Sequence, residues 1–153
     1  MRPKILYNYL TDDELLRIST KIKEVEKTTA GEIAVSIREY KTFFEGKKPL
    51  RQLAEKEYMR LGINETKEGT GVLIFLLLSE KQFYILADDN INKLTGENVW
   101  VEIKNIMQEK FVRGEFCKGI LLGIDEIGKI LSQHFSIRPD DKNEISNRVI
   151  IQK

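Results

Sequence analysis

Between the polar, glycine-rich NETKEGTG and the turn Ser79-Glu80-Lys81-Gln82, the chain carries VLIFLLL, Val72 to Leu78, without one polar residue. An amphipathic element shows its period, and this run shows none. Seven residues between turn signals are short for a buried helix and ordinary for a strand. A strand that is apolar on both sides must be covered on both sides. The run therefore calls for a strand in mid-sheet with helices above and below, and it is far too short to cross a bilayer as a helix.

The rest of the chain supplies the partners. Thr11-Asp12-Asp13-Glu14 has the spacing of a capping box, in which Thr11 accepts from the Glu14 amide and the Glu14 carboxylate reaches back. Leu15, Ile18, Ile22 and Val25 follow at helical spacing, so a first helix runs to about Thr29, before Gly31. EIAVSIRE alternates: Ile33, Val35 and Ile37 face one way, and Ala34, Ser36 and Arg38 the other. After a loop punctuated by Gly46 and Pro49, the residues Leu50, Leu53, Ala54, Tyr58 and Leu61 form a helical stripe that stops at Gly62. FYILA, Phe83 to Ala87, returns after VLIFLLL as an antiparallel hairpin partner. Val99, Ile103, Ile106, Met107 and Phe111 share one later helical face. Beyond Gly114, Cys117, Ile120, Leu121, Ile124, Ile127 and Leu131 share another. Periodicity is lost from Ser136. Residues 1–135 thus read as a single α/β domain and 136–153 as a tail, in which Val149-Ile150-Ile151 is a candidate added edge strand.

A chain of 153 residues, 41% hydrophobic and 32% charged, has the makings of one globular core. Its 25 basic and 24 acidic residues leave a net charge of +1, without the basic excess of a nucleic-acid binder. The lone Cys117 allows no internal disulfide, and the start MRPKILYNYLTDDELL lacks the apolar core of a secretory signal. A cytoplasmic protein with no membrane span is expected.

Strand direction then locates a site. A helix connects the first strand to the second, so the two are expected to run parallel through a right-handed crossover. The hairpin sends the third strand back. The start of the first strand, the start of the second and the end of the third therefore share one rim. Glu32 stands at the first place, Glu68 shortly before the second, and Asp88 and Asp89 at the third, followed by Asn90. Gly31, Gly69 and Gly71 permit tight turns among them. Converging carboxylate, amide and carbonyl oxygens suit a hard divalent cation. Calcium takes about six to eight oxygen ligands and magnesium usually keeps waters. Two readings stand side by side: a cation held by Glu32, Glu68 and Asp88, with Asp89 and Asn90 as secondary ligands, or ordinary solvated turn carboxylates.

Other reactive residues read as structural. His134, the only histidine, falls at the end of the last helix, where a positive charge is favoured. Cys117 lies on an apolar stripe as a buried thiol. KEGTGV precedes a strand and lacks the lysine of a phosphate loop. Trp100, Phe111 and Phe116 read as packing between the last helices. In the basic stretch YKTFFEGKKPLR, Tyr40, Phe43 and Phe44 are expected to cap the end of the sheet, with contact to a partner or a membrane surface as the alternative.

The ordered set of an acid-capped helix, GEIAVSI, a helix ending in RLGI, GTGVLIFLLLSEKQFYILADDNIN and FVRGEFCKGILLGIDEIGKIL resembles the TPM-domain family, also called TPM phosphatases. It is most similar to the short soluble bacterial members, and the likeness covers about residues 10 to 135. The resemblance implies a three-layer α/β/α sandwich with a small mixed central sheet. Some members are reported to bind divalent cations, calcium among them, and a chloroplast relative is associated with acid phosphatase activity and photosystem repair. Glu32 of GEI matches the family acid at that place. Glu68 stands where Asp is commoner and lengthens the arm, and Asp88 matches the Asp of the soluble subgroup. Thr70 departs from the asparagine usual between the two glycines. Two functions follow as expectations: a regulatory or interaction module that binds calcium or magnesium and has room for a protein partner, or a metal-dependent acid phosphatase acting on phosphomonoesters with Asp89 as base.

Overall fold

The computed structural model describes residues 5–65, 69–135 and 149–152. Helix α1, Asp12–Glu26, starts at the capping box: Thr11 Oγ1 accepts from the Glu14 N–H at 3.1 Å, and Glu14 Oε1 accepts from the Thr11 N–H at 3.0 Å. Strand β1, Glu32–Arg38, leads through a loop to helix α2, Leu50–Arg60, then to β2, Gly71–Leu77, and β3, Gln82–Ala87. Helices α3, Asp89–Thr95, α4, Asn98–Val112, and α5, Phe116–His134, follow, and β4, Ile150–Gln152, lies near the end of the chain.

The sheet order is β3-β2-β1-β4. Strands β1 and β2 are parallel, with Glu32 opposite Gly71 and Arg38 opposite Leu77. Strands β2 and β3 are antiparallel, with Val72 opposite Ala87. Strand β4 runs parallel to β1 and covers only Ser36 to Arg38, and among the described residues no strand pairs with the first half of β1 on that side.

Alternation sorts the residues into two cores. Ile33, Val35 and Ile37 of β1 and Val72, Ile74 and Leu76 of β2 meet Ile18 and Ile22 of α1, Ile103 and Met107 of α4, and Ile120, Ile124 and Ile127 of α5. Ala34, Leu73, Phe75 and Leu77 point the other way, against Leu53, Ala54 and Tyr58 of α2 and Ile63. Every residue of β2 is buried, as a doubly covered strand requires. The result is an α/β/α sandwich around a mixed four-stranded sheet. The α2 face also buries a polar island. Ser36 Oγ donates to Glu57 Oε2, Arg60 Nε donates to Glu57 Oε1 at 2.7 Å, and the Gln152 amide, turned to donate to Glu57 Oε2 at 3.3 Å, fixes β4 to the same group.

Two segments differ from the sequence-based expectation. A further helix, α3, begins directly after β3. Asp88 is its N-cap, accepting the Asn90 N–H on Oδ1 at 2.9 Å, and Trp100 Nε1 holds it to α4 through Asn92 Oδ1 at 2.7 Å. Its apolar content is too short to show a period, so its start looked like a turn. Phe43 and Phe44 do not cap the sheet: their side chains are 93% and 87% exposed. Glu45 is the residue that turns inward, 4% exposed, taking the Thr42 N–H at 2.7 Å and the Arg38 guanidinium at 2.8 Å. Among the described residues, no helix is long and apolar enough to cross a membrane.

Candidate functional site

The strand directions bring the β1 start, the β2 start and the β3 end to one rim. Two backbone bonds stitch it: the Glu32 N–H donates to Thr70 O at 3.1 Å, and the Asp88 N–H donates to Gly71 O at 3.0 Å. By alternation Glu32 and Asp88 lie on the α2 face of the sheet, in line with Ala34 and with Tyr84 and Leu86. With β2 between them, two strand spacings separate their backbones by roughly 10 Å. Gly71 occupies the place between, and Ile63 packs so close that a Cβ there would lie 2.2 Å from its Cγ2.

Asp88 is half-buried. Its Oδ2 lies 3.5 Å from the Tyr58 hydroxyl, which also donates to Gly71 O at 3.1 Å. Burial, and then the charges of Asp88 and Asp89, push the Tyr58 hydroxyl well above the usual phenol range, so it stays a proton donor. Gly69 adopts φ +63°, and a Cβ on it would fall 2.4 Å from Asn90 Nδ2 and 3.0 Å from Asp88 Oδ1. Backbone thus passes directly over the Asp88 and Asn90 side chains, an approach open only to glycine. Asp89 and Asn90 are exposed in the first turn of α3. Glu68 lies outside the described residues. Among the described residues, no group of three His, Cys, Asp or Glu side chains is gathered closely enough to hold a metal ion.

Glu32 is 4% exposed and lies beside a second buried carboxyl, Glu26, at 7%. Glu26 was not visible as a site residue in the motifs, yet it had a signal. It continues the Ile18 and Ile22 series at a spacing of four, and so places a carboxyl on the buried stripe of α1. There its Oε2 accepts the Ile33 N–H at 3.0 Å, on the side of β1 that β4 does not reach. Its Oε1 is buried and finds no donor among the described residues. Burial, followed by the hydrogen bond and charge of Glu32, pushes the Glu26 carboxyl up to about 8 against the pull of the Ile33 amide. A proton held between the two carboxyls answers both facts. The rim thus carries two buried carboxyl groups side by side at the β1 end, Glu26 and Glu32, and the half-buried Asp88 on the far side of β2.

Elsewhere the reactive residues are occupied structurally. Cys117 is buried, and burial raises its thiol above the ordinary value, which keeps it protonated. Ser36 is fully buried against Glu57. An apolar cavity of about 350 Å³ lies at the opposite rim, by the carboxyl end of β2, among Leu76, Leu78, Phe83, Phe111 and Phe116. Among the described residues no carboxylate lines it, and it is separate from the acidic rim.

A family model described as the TPM domain, and named TPM phosphatase, matches residues 6–130. No curated protein matches the chain. Among solved structures, the NMR structure of BA42 protein from the psychrophilic bacterium Bizionia argentinensis is similar at 29% identity and a TM-score of 0.84, over 94% of this chain and 96% of that one. The N-terminal domain of a protein from P. gingivalis aligns at 18% identity and a TM-score of 0.66, covering 83% and 79% of the two chains. The N-terminal domain of cg2496 protein from Corynebacterium glutamicum aligns at 12% identity and 0.60, covering 90% and 86%. The last two identities speak to the fold alone.

Proposed function

Starting from the premise that this chain belongs to the TPM-domain family, we propose that it is a divalent-cation-binding module of regulatory or interaction role. Glu32, Glu68 and Asp88 are the ligands, and Asp89 and Asn90 secondary ones. The observation that carries the reading is the stitched rim, where Glu32 and Asp88 follow backbone atoms that bond to adjacent residues, Thr70 and Gly71. Glu68 precedes Thr70 by two positions in the sequence and enters the proposal on that ground alone. The raised Glu26 and Tyr58 protons follow first from burial, and the charges of Glu32 and of Asp88 and Asp89 add to it in the same direction. Calcium or magnesium would be held through oxygen alone and would relieve that repulsion, stabilising the fold by mass action.

The test is a titration of metal-free protein with calcium and, separately, magnesium, followed by amide chemical shifts and by thermal unfolding. Saturable shifts centred on Gly31, Glu68 and Asp88, with a rise in Tm that Asp88→Asn and Glu32→Gln reduce, are expected. Shifts spread evenly over surface carboxylates would overturn the assignment. The family model's name favours a second reading, a metal-dependent acid phosphatase for phosphomonoesters with Asp89 as base. Metal-dependent turnover of a generic phosphomonoester, lost in Asp88→Ala with the fold intact, would establish it in place of the first.

A further inference from the structure

The rim opposite the acidic one carries an unusual projection. Phe43 and Phe44 stand side by side, ring centroids 5.7 Å apart and nearly perpendicular, 93% and 87% exposed. Adjacent aromatic rings left almost wholly in water are costly, and a contiguous apolar tip of this kind marks a contact surface. The tip is not slack. Thr42 and Glu45 cap the 3-10 turn Phe43–Glu45 reciprocally, the Glu45 N–H donating to Thr42 O at 3.1 Å and the Lys48 N–H to Glu45 O at 2.7 Å. The buried Glu45 carboxylate is locked to Arg38 at the end of β1, and Lys41 Nζ closes the loop onto Gly46 O at 3.3 Å. The anchor residue points in, and the rings are therefore held pointing out.

Charge selects the occupant. Lys41, Lys47 and Lys48 flank the rings within the loop, Lys47 and Lys48 fully on the surface. The acids of the same loop and its neighbour are already engaged, Glu45 by Arg38 and Glu80 by Lys41 at 3.8 Å. An apolar tip ringed by lysines matches a surface that is greasy below and anionic above.

We propose that the Phe43–Phe44 loop is a peripheral membrane anchor. Its two rings enter the interfacial zone of an anionic bilayer, while the exposed Lys47 and Lys48 lie among the headgroup phosphates. Neither signal alone gives stable attachment; an apolar insertion and a basic patch together do. The acidic rim, at the other end of the strands, then faces the aqueous phase and stays open to solutes.

Co-sedimentation of the intact protein with large unilamellar vesicles tests this, using phosphatidylcholine alone and phosphatidylcholine mixed with phosphatidylglycerol. Binding is expected to the mixed vesicles, weaker to phosphatidylcholine alone, and declining as salt is raised. Removing each ring lowers the partition coefficient by about tenfold, so Phe43→Ala with Phe44→Ala abolishes sedimentation. Lys47→Glu with Lys48→Glu brings binding to the mixed vesicles down to the phosphatidylcholine level. Both double variants keep the wild-type circular dichroism and Tm, because the four side chains are exposed. Wild-type protein that stays in the supernatant with mixed vesicles at low salt overturns the proposal and leaves the tip to a protein partner. So does undiminished sedimentation of the Phe double variant.

Discussion

Replacing Glu26 with glutamine puts the reading of the acidic rim to a quantitative test. Glu26 has an ordinary carboxyl value of 4.5 in the unfolded chain and about 8 in the fold, raised first by burial. Between these two values the folded protein keeps a proton that the unfolded chain has released. Raising the pH through that window therefore withdraws stability; below the lower value the contribution is fully present. One proton of difference is worth about 1.4 kcal/mol per pH unit, so the wild type should lose about 3 kcal/mol across two units inside the window. The full separation sets an upper bound of about 5 kcal/mol. Glu26→Gln imitates the protonated form: its carbonyl still accepts the Ile33 N–H and its amide donates toward Glu32. Urea denaturation of metal-free protein at steps from about pH 5 to pH 8.5, read as ΔG in water, gives the two curves. They should meet at the acid end and separate as pH rises, with the variant the more stable. Carboxylates remote from Glu26 titrate in both proteins and cancel in the difference, so what remains belongs to the Glu26–Glu32 pair. Parallel curves would refute the shared buried proton and with it the electrostatic account of the rim.

Three further outcomes follow from the packing around that rim. Gly71→Ala forces a methyl to 2.2 Å from Ile63 Cγ2 and 3.0 Å from Ile63 O, and should cost about 1–3 kcal/mol in chemical denaturation; a neutral substitution would show that Ile63 is free to move aside. Asp88→Ala removes the α3 N-cap and an acceptor facing Tyr58. A loss of about 1 kcal/mol is expected, along with faster hydrogen exchange at Asn90, and unchanged exchange there would discard the cap. Phe75→Ala opens the α2-side core beneath a fully buried ring and should cost about 3–5 kcal/mol by urea titration, with a fall under 1 kcal/mol inconsistent with the doubly covered strand.

How far the sequence reaches depends on the range of the interaction involved. The capping box, the alternation of β1, the unbroken apolar run of β2 and the helical stripes of α4 and α5 are local signals, and each element formed around its own residues, although α1 ends at Glu26 rather than near Thr29 and Ile106 of the α4 stripe is left exposed. Strand direction was legible too, because a helical crossover and a short hairpin leave little choice of topology. That placed Glu32 and Asp88 on a single rim before any distance was known. Burial partners are another matter, since they depend on which faces meet. Glu26 became the neighbour of Glu32 only when the end of α1 was folded against the first half of β1, where β4 falls short. Tyr58, one apolar tooth on a helical stripe, acquired its bond to Gly71 and its contact with Asp88 through α2 docking on the sheet. The aromatic tip at Phe43 and Phe44 was decided by a competition among three adjacent side chains. Burying two rings promises more apolar contact than burying one carboxylate. The guanidinium of Arg38 at the end of β1 reversed that order by giving Glu45 a partner inside the fold, a choice made by geometry that no period in the sequence records.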